Sequence, residues 1–119
     1  MHQRPALLAL VLLVGTRPGL AQSSDSAFAG VQHRGAMVMG VDQYASRHVF
    51  EDLPDGGRII FAMRDTTDAA GTAAIRVHLR SIAESFGAGN FADPSRVHAM
   101  EVPGTARMSE RRDLIRYTV

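Results

Sequence analysis

Histidine is the residue type in this sequence with the most functional chemistry to offer. Three histidines, His48, His78 and His98, lie in segments with the patterns of a strand, a helix and a loop. Neutral imidazoles that converge from three elements form a site for zinc or copper. We therefore expect a metal ion or a small ligand to bind at these three residues. The alternative is that each histidine stands alone, hydrogen-bonded or solvated.

Four more residues are candidate ligands that would make this site selective for copper. Thioether sulfur is a soft ligand, and sulfur combined with imidazole selects Cu(I). The residues that would supply such ligands are His33, Met37, Met39 and Met63. Met37 and Met39 alternate with Val38, however, and this pattern is equally typical of a strand that packs into the core.

The second hypothesis is a small hydrolase- or transferase-like enzyme that uses a histidine as general base. His78 or His98 would accept a proton beside Asp42 or Glu101. The sequence contains no H-E-x-x-H, no G-x-S-x-G and no P-loop. Residues 87–89 (GAG) end a predicted helix, whereas a dinucleotide-binding fingerprint begins one. The sequence therefore names no reaction, and a non-catalytic interaction module is the third hypothesis.

Composition narrows the class of protein. The 119 residues include 13 basic residues, all of them arginine, against 12 acidic ones, and 45% of the chain is hydrophobic. The near-neutral balance argues against nucleic-acid or membrane-surface partners, and the apolar fraction argues against a disordered chain. The absence of cysteine excludes disulfides, thiolate zinc sites and a cysteine nucleophile. One small globular domain remains.

The N-terminus has the pattern of a secretory signal. A short start with Arg4 precedes an uninterrupted apolar run at residues 6–15, about half of the ~20 residues that span a bilayer. Small residues follow at Gly19 and Ala21, ahead of Gln22. We predict a signal peptide at residues 1–21, export to the periplasm or the medium, and no membrane association after cleavage.

The mature chain is predicted to begin with a flexible lead-in at residues 22–35, which are rich in Ser, Ala and Gly. A single domain then covers residues 36–119. Its first feature is a β-hairpin, because two runs of β-branched and aromatic residues flank the turn sequence PDGG at residues 54–57. A four-residue loop would pair Leu53 with Arg58, so that Phe50 faces Phe61 and His48 faces Met63.

An amphipathic helix is predicted at residues 72–86. Ile75, Leu79, Ile82 and Phe86 recur at the helical period and form one apolar stripe. Either Asp68 or Thr72 would cap its N-terminus, and Gly87 and Gly89 would end it. Phe91 is expected to fold back onto the stripe.

The C-terminal third is predicted to be irregular at residues 92–106, with an extended segment at 97–102, and to end in a strand at 114–119. The fold class is therefore α+β, with one helix packed on an antiparallel sheet. A strand that stops in mid-run suggests an incomplete chain. Such a chain would leave an open sheet edge, and this edge favours a homodimer.

Five segments carry a resemblance to a known family: residues 37–50 (MVMGVDQYASRHVF), 54–59 (PDGGRI), 75–91 (IRVHLRSIAESFGAGNF), 96–106 (RVHAMEVPGTA) and 115–119 (IRYTV). They resemble a family of small exported bacterial proteins of no established activity. The resemblance covers nearly all of residues 33–119. It implies export and a ββα unit followed by a second strand and helix, so that this chain would be a truncated ββα repeat. It implies no substrate or cofactor.

Overall fold

A computed structural model describes the backbone of residues 19–119 and the side chains from residue 25 onward. Two strands form an antiparallel sheet, and a helix, one of several, packs on it, which confirms the α+β class. Most of the predicted signal peptide, residues 1–18, lies outside the described residues. The elements in chain order are α1 (Gly19–Met39), β1 (Ser46–Leu53), β2 (Gly56–Met63), α2 (Ala69–Gly87), α3 (Ala92–His98), α4 (Thr105–Glu110) and a 3₁₀ turn (Arg112–Leu114).

The predicted hairpin is present, but its loop is shorter than expected. Leu53 pairs with Gly56, so only Pro54 and Asp55 form the turn. Glycine tolerates extended backbone as well as a turn, and Gly56 and Gly57 enter β2 instead of the loop. The register is therefore displaced by two residues from the predicted one. Because a shift of two keeps every side chain on its original face, the predicted faces of the sheet are retained.

The core lies between one face of the hairpin and α2. Val41, Phe61 and Ile75 are its buried residues, and Met39, Met63, Ala74 and Leu79 pack around them. A two-stranded sheet is marginal alone in water and needs a helix to cover one face. Ile75, at 3% exposure, is the residue by which α2 supplies this cover.

Both ends of α2 are formed by local residues. The Asp68 carboxylate accepts a hydrogen bond of 2.8 Å from the backbone N–H of Gly71, so Asp68 is the N-cap. After the helix, Gly89 adopts φ of +78°, which glycine tolerates best. This turn directs Phe91 back onto Phe86, and their rings stack with centroids 4.5 Å apart. The predicted return of Phe91 to the helix is thus confirmed.

The lead-in predicted at residues 22–35 is instead part of α1. α1 packs on α3, and Val31, Gly35 and Val38, at the i, i+4, i+7 spacing of a helix, are buried or partly buried on one face of α1. Its central member is a glycine, so a hydrophobicity pattern gives little sign of it. A Cβ at Gly35 would come within 3.0 Å of the Gln43 side chain, so a larger residue there would require Gln43 to shift.

The two extended segments predicted in the C-terminal third are wrong. Residues 92–98 form α3, because Pro94 occupies the first helical turn, where a missing N–H costs nothing. Ala99, with φ of +55°, ends that helix. Residues 115–119 have strand composition, but they pair with no strand of the described region. Tyr117 packs edge-on against Phe86 of α2 instead, with ring centroids 5.7 Å apart. No second hairpin of a ββα repeat occurs within residues 19–119.

Replacing the buried Ser46 by alanine should stabilise the protein. Ser46 is 1% exposed, and its hydroxyl has no hydrogen-bond partner among the residues that the structure describes, so folding removes it from water without compensation. Ser46→Ala should raise the free energy of unfolding by about 1 kcal/mol. Urea denaturation measures this change.

Ser95→Ala is the matched control for this experiment. The Ser95 hydroxyl donates to the carbonyl of Phe91 at 3.2 Å, so its loss should bring no gain in stability. A lower urea midpoint for Ser46→Ala than for the parent protein would contradict the expectation.

Candidate functional site

His48 lies on the face of the sheet that α2 covers. It stands directly across from Phe61, and the two rings stack with centroids 3.7 Å apart and planes 21° apart. Arg64 N–H donates to Ala45 C=O, so by alternation His48 and Phe61 occupy a non-hydrogen-bonded position, where opposite side chains lie closest. Phe50, two residues further along β1, also stacks against His48, with ring centroids 5.9 Å apart.

His78 reaches the same aromatic group from α2. Its ring meets Phe61 edge-on, with centroids 6.3 Å apart and planes 85° apart. Phe61 therefore contacts both imidazoles. Two of the three predicted site histidines, His48 and His78, are thus brought to one place.

Both imidazoles are half-buried, and this burial sets their charge. Burial lowers the pKa of His48, and the nearby His78 lowers it further. Burial also lowers the pKa of His78, while the Asp93 carboxylate acts in the opposite direction. Since the ordinary pKa of histidine is 6.5, both rings are neutral at pH 7.

The remaining predicted ligands lie elsewhere. His98 is exposed at the last residue of α3, and His33 is exposed on α1. Met37 and Met39 belong to α1, not to a strand. Met37 is 66% exposed, whereas Met39 and Met63 pack against the core. The two core methionines therefore have a packing role in this structure.

The part of the chain that the structure describes contains no group of three or more His, Cys, Asp or Glu side chains that could hold a metal ion. Phe61 contacts both His48 and His78, but among the described residues no third ligating side chain joins these two imidazoles. The convergence of His48, His78 and His98 on one ion is not observed.

The acidic partners expected for a general base are engaged or exposed. Asp42 accepts a hydrogen bond of 2.7 Å from the backbone N–H of Tyr44, so it caps the turn before β1. Glu101 is exposed in the loop after α3. Across residues 25–119, no ion pair joins a histidine to a carboxylate.

A second feature, which no sequence motif indicates, is the outer edge of β1 with its exposed hairpin tip. We define the tip as Phe50, Leu53 and Ile59, which are 74%, 39% and 39% exposed. Phe50 and Ile59 are a cross-strand pair on the face of His48, beyond the end covered by α2. The opposite face of β1 carries Arg47 and Glu51. The signal available in the sequence was this pair of opposite charges on one strand face.

Comparison of the chain with protein-family models, with curated proteins and with solved structures finds no match. The resemblance to small exported bacterial proteins therefore stays a prediction. In the described part of the chain, no helix has the length and apolar character needed to cross a membrane.

Acid should destabilise the protein through the two half-buried histidines. A lowered pKa in the folded state means that the unfolded chain takes up protons first as the pH falls below 6.5. The stability present above that pH is then lost towards the lower folded-state pKa. His48→Gln should reduce this loss, measured as the difference between urea midpoints at about pH 7 and about pH 5.

His33→Gln, at an exposed position on α1, is the control and should leave the loss unchanged. An equal acid-induced shift in the parent protein and His48→Gln would contradict the role assigned to His48.

Proposed function

We propose that this protein is an exported, non-catalytic interaction module that pairs with a second copy of itself through the free edge of β1. The observation that carries the proposal is the 74% exposure of Phe50 on β1, a strand that has β2 as its one hydrogen-bonded neighbour within residues 19–119. Unpaired strand edges accept another strand, and large exposed apolar side chains at such an edge favour this pairing.

The backbone of β1 supports pairing at a defined segment. Because the Ala45–Arg64 pair is hydrogen-bonded, alternate residues of β1 bond to β2, and the backbone groups of His48 and Phe50 point to the free edge. Among the described elements, β1 packs extensively only against β2. Ser46 is buried, so the usable edge runs from Arg47 to Glu51.

A two-fold axis at Val49 gives a register in which charge and apolar surface are both complementary. Antiparallel pairing around Val49 sets His48 opposite Phe50 of the second copy, and Arg47 opposite Glu51 of the second copy. The exposed Phe50 ring is then covered by the His48 imidazole of the second copy. Each Arg47 faces a carboxylate instead of a second arginine. The edge of β2 has no such register, because Arg58 is its only charged residue.

The free energies of the two kinds of contact indicate which one supplies the affinity and which one sets the register. Covering a phenylalanine side chain contributes roughly 1.5–3 kcal/mol, and an exposed ion pair contributes about 0.2–1 kcal/mol. Phe50 therefore supplies most of the affinity. Arg47 and Glu51 select the register, since a shifted strand would lose both ion pairs.

The mass of the purified protein in solution tests the proposal. We expect a dimer by light scattering at about 100 μM, and a monomer for Phe50→Ser, because the variant removes the main contact. Phe28→Ser is the matched control, since Phe28 is also exposed, at 58%, but lies on α1. A monomeric parent protein, or dissociation caused equally by both variants, would refute the pairing.

Charge reversal tests the register within the same experiment. Arg47 has no ion pair in its own chain within the described region, so Arg47→Glu adds repulsion between copies with little change to the monomer. This variant should weaken dimerisation by about tenfold or more. Adding Glu51→Arg should restore dimerisation only in part, because this change also removes the ion pair between Glu51 and Arg58 within each chain. Failure of the double variant to recover would exclude the axis at Val49.

Zinc or copper binding is the second candidate function. It is favoured by the position of His48 and His78 against one ring and by their neutral form, which is the form that ligates metals. Calorimetric titration with Zn(II), Cu(II) and Cu(I) should give stoichiometric binding that His48→Ala and His78→Ala abolish. His98→Ala, at an exposed site, should retain it. Binding that survives in both of the first two variants would remove these histidines from the site.

A further inference from the structure

A cleft of about 530 Å³ lies between α1 and α3, away from the edge of β1. Its lining consists of Arg34, Met37, Val38, Asp93 and Arg96. This volume is within the range of sites that hold small molecules. The cleft uses none of the residues in the proposed pairing surface.

Arg34 is held in place at this cleft with its charge uncompensated. Its Nε–H donates to the carbonyl of Val97 at 2.8 Å, which joins α1 to the last turn of α3. The side chain is only partly exposed, and no carboxylate among residues 25–119 forms an ion pair with it. A partly buried guanidinium without a counter-charge attracts an anion.

The other arginine of the cleft does not share this property. Arg96 Nη1 lies 3.0 Å from a carboxylate oxygen of Asp93, so these two charges compensate each other. The Nη groups of Arg34 therefore carry the uncompensated charge. Gly30 leaves them room on α1, since a Cβ there would lie 3.0 Å from Arg34 Nη1.

An apolar wall adjoins this charge. Met37 and Val38 lie three and four residues after Arg34, so the three side chains occupy one side of α1. Met37 is 66% exposed, and its flexible thioether adapts to ligands of varied shape. A charged group beside an apolar wall suits a molecule with an anionic head and an aliphatic tail.

We propose that this cleft binds a small amphiphilic carboxylate of the fatty-acid class. Arg34 takes the carboxylate through its Nη groups, and Met37 and Val38 contact the aliphatic chain. Neither an uncharged alcohol of equal length nor a short carboxylate makes both contacts.

Calorimetric titration of the whole protein with decanoate, decanol and acetate tests this site. Decanoate should bind with a Kd below about 1 mM, and decanol and acetate at least about tenfold more weakly. Equal binding of decanol would mean a merely apolar surface, and absence of decanoate binding would refute the site.

Two variants assign the contacts. Arg34→Gln should weaken decanoate binding by at least about tenfold, while Arg80→Gln, which removes an exposed arginine of α2, should leave it unchanged. Met37→Ser changes an exposed residue that the fold does not need, so it still tests the site if Arg34→Gln fails to fold. It should weaken decanoate binding and leave the circular dichroism spectrum unchanged. Unaltered binding in Met37→Ser, or equal loss in Arg80→Gln, would overturn the assignment.

Discussion

The contact between Phe61 and Ile75 is the interaction on which the rest of this structure depends. Phe61 is the buried aromatic residue of the hairpin, and Ile75 is the buried residue of α2. Two strands alone do not bury enough apolar surface to be stable, so the hairpin needs the helix at this point. The same ring also positions His48 and His78, because one stacks on its face and the other meets its edge. Core packing and the arrangement of the histidines thus have a single cause.

The small size of this core also explains what remains exposed. α2 covers the end of the hairpin that contains Phe61, and the sheet extends beyond it to Phe50 and Ile59. An apolar pair at the end of a two-stranded sheet is exposed to water in a monomer, and a second molecule that covers the pair removes this unfavourable exposure. The charges of Arg47 and Glu51 on the other face of β1 then make one pairing better than its alternatives. The apolar surface that α2 leaves uncovered is therefore the surface that the proposed pairing uses.

The sequence-based predictions succeeded for features formed by residues close together in the chain and failed for features that need a distant partner. The hairpin was predictable because its turn and its alternating strands lie within contiguous residues, and the cap at Asp68 depends on a hydrogen bond to Gly71 three residues away. The strand expected at residues 114–119 failed because a strand requires a neighbour, and Tyr117 finds Phe86 of α2 instead. α3 lies in a segment predicted to be irregular, although Pro94 stands in the first helical turn, where a proline removes no backbone hydrogen bond of the helix.

For the candidate site, the sequence by itself determined which residues could do chemistry and which faces of the hairpin they share. Period-two alternation alone places His48 and Phe50 together, whatever the register. Only the tertiary structure decided that His78 joins His48 while His98 does not, that Phe61 contacts both, and that α1 and α3 enclose Arg34. Side-chain direction along one strand or helix follows from backbone geometry. The meeting of residues far apart in the chain depends on how whole elements pack, and small or polar contacts such as Gly35 and Arg34 leave no periodic trace from which that packing could be predicted.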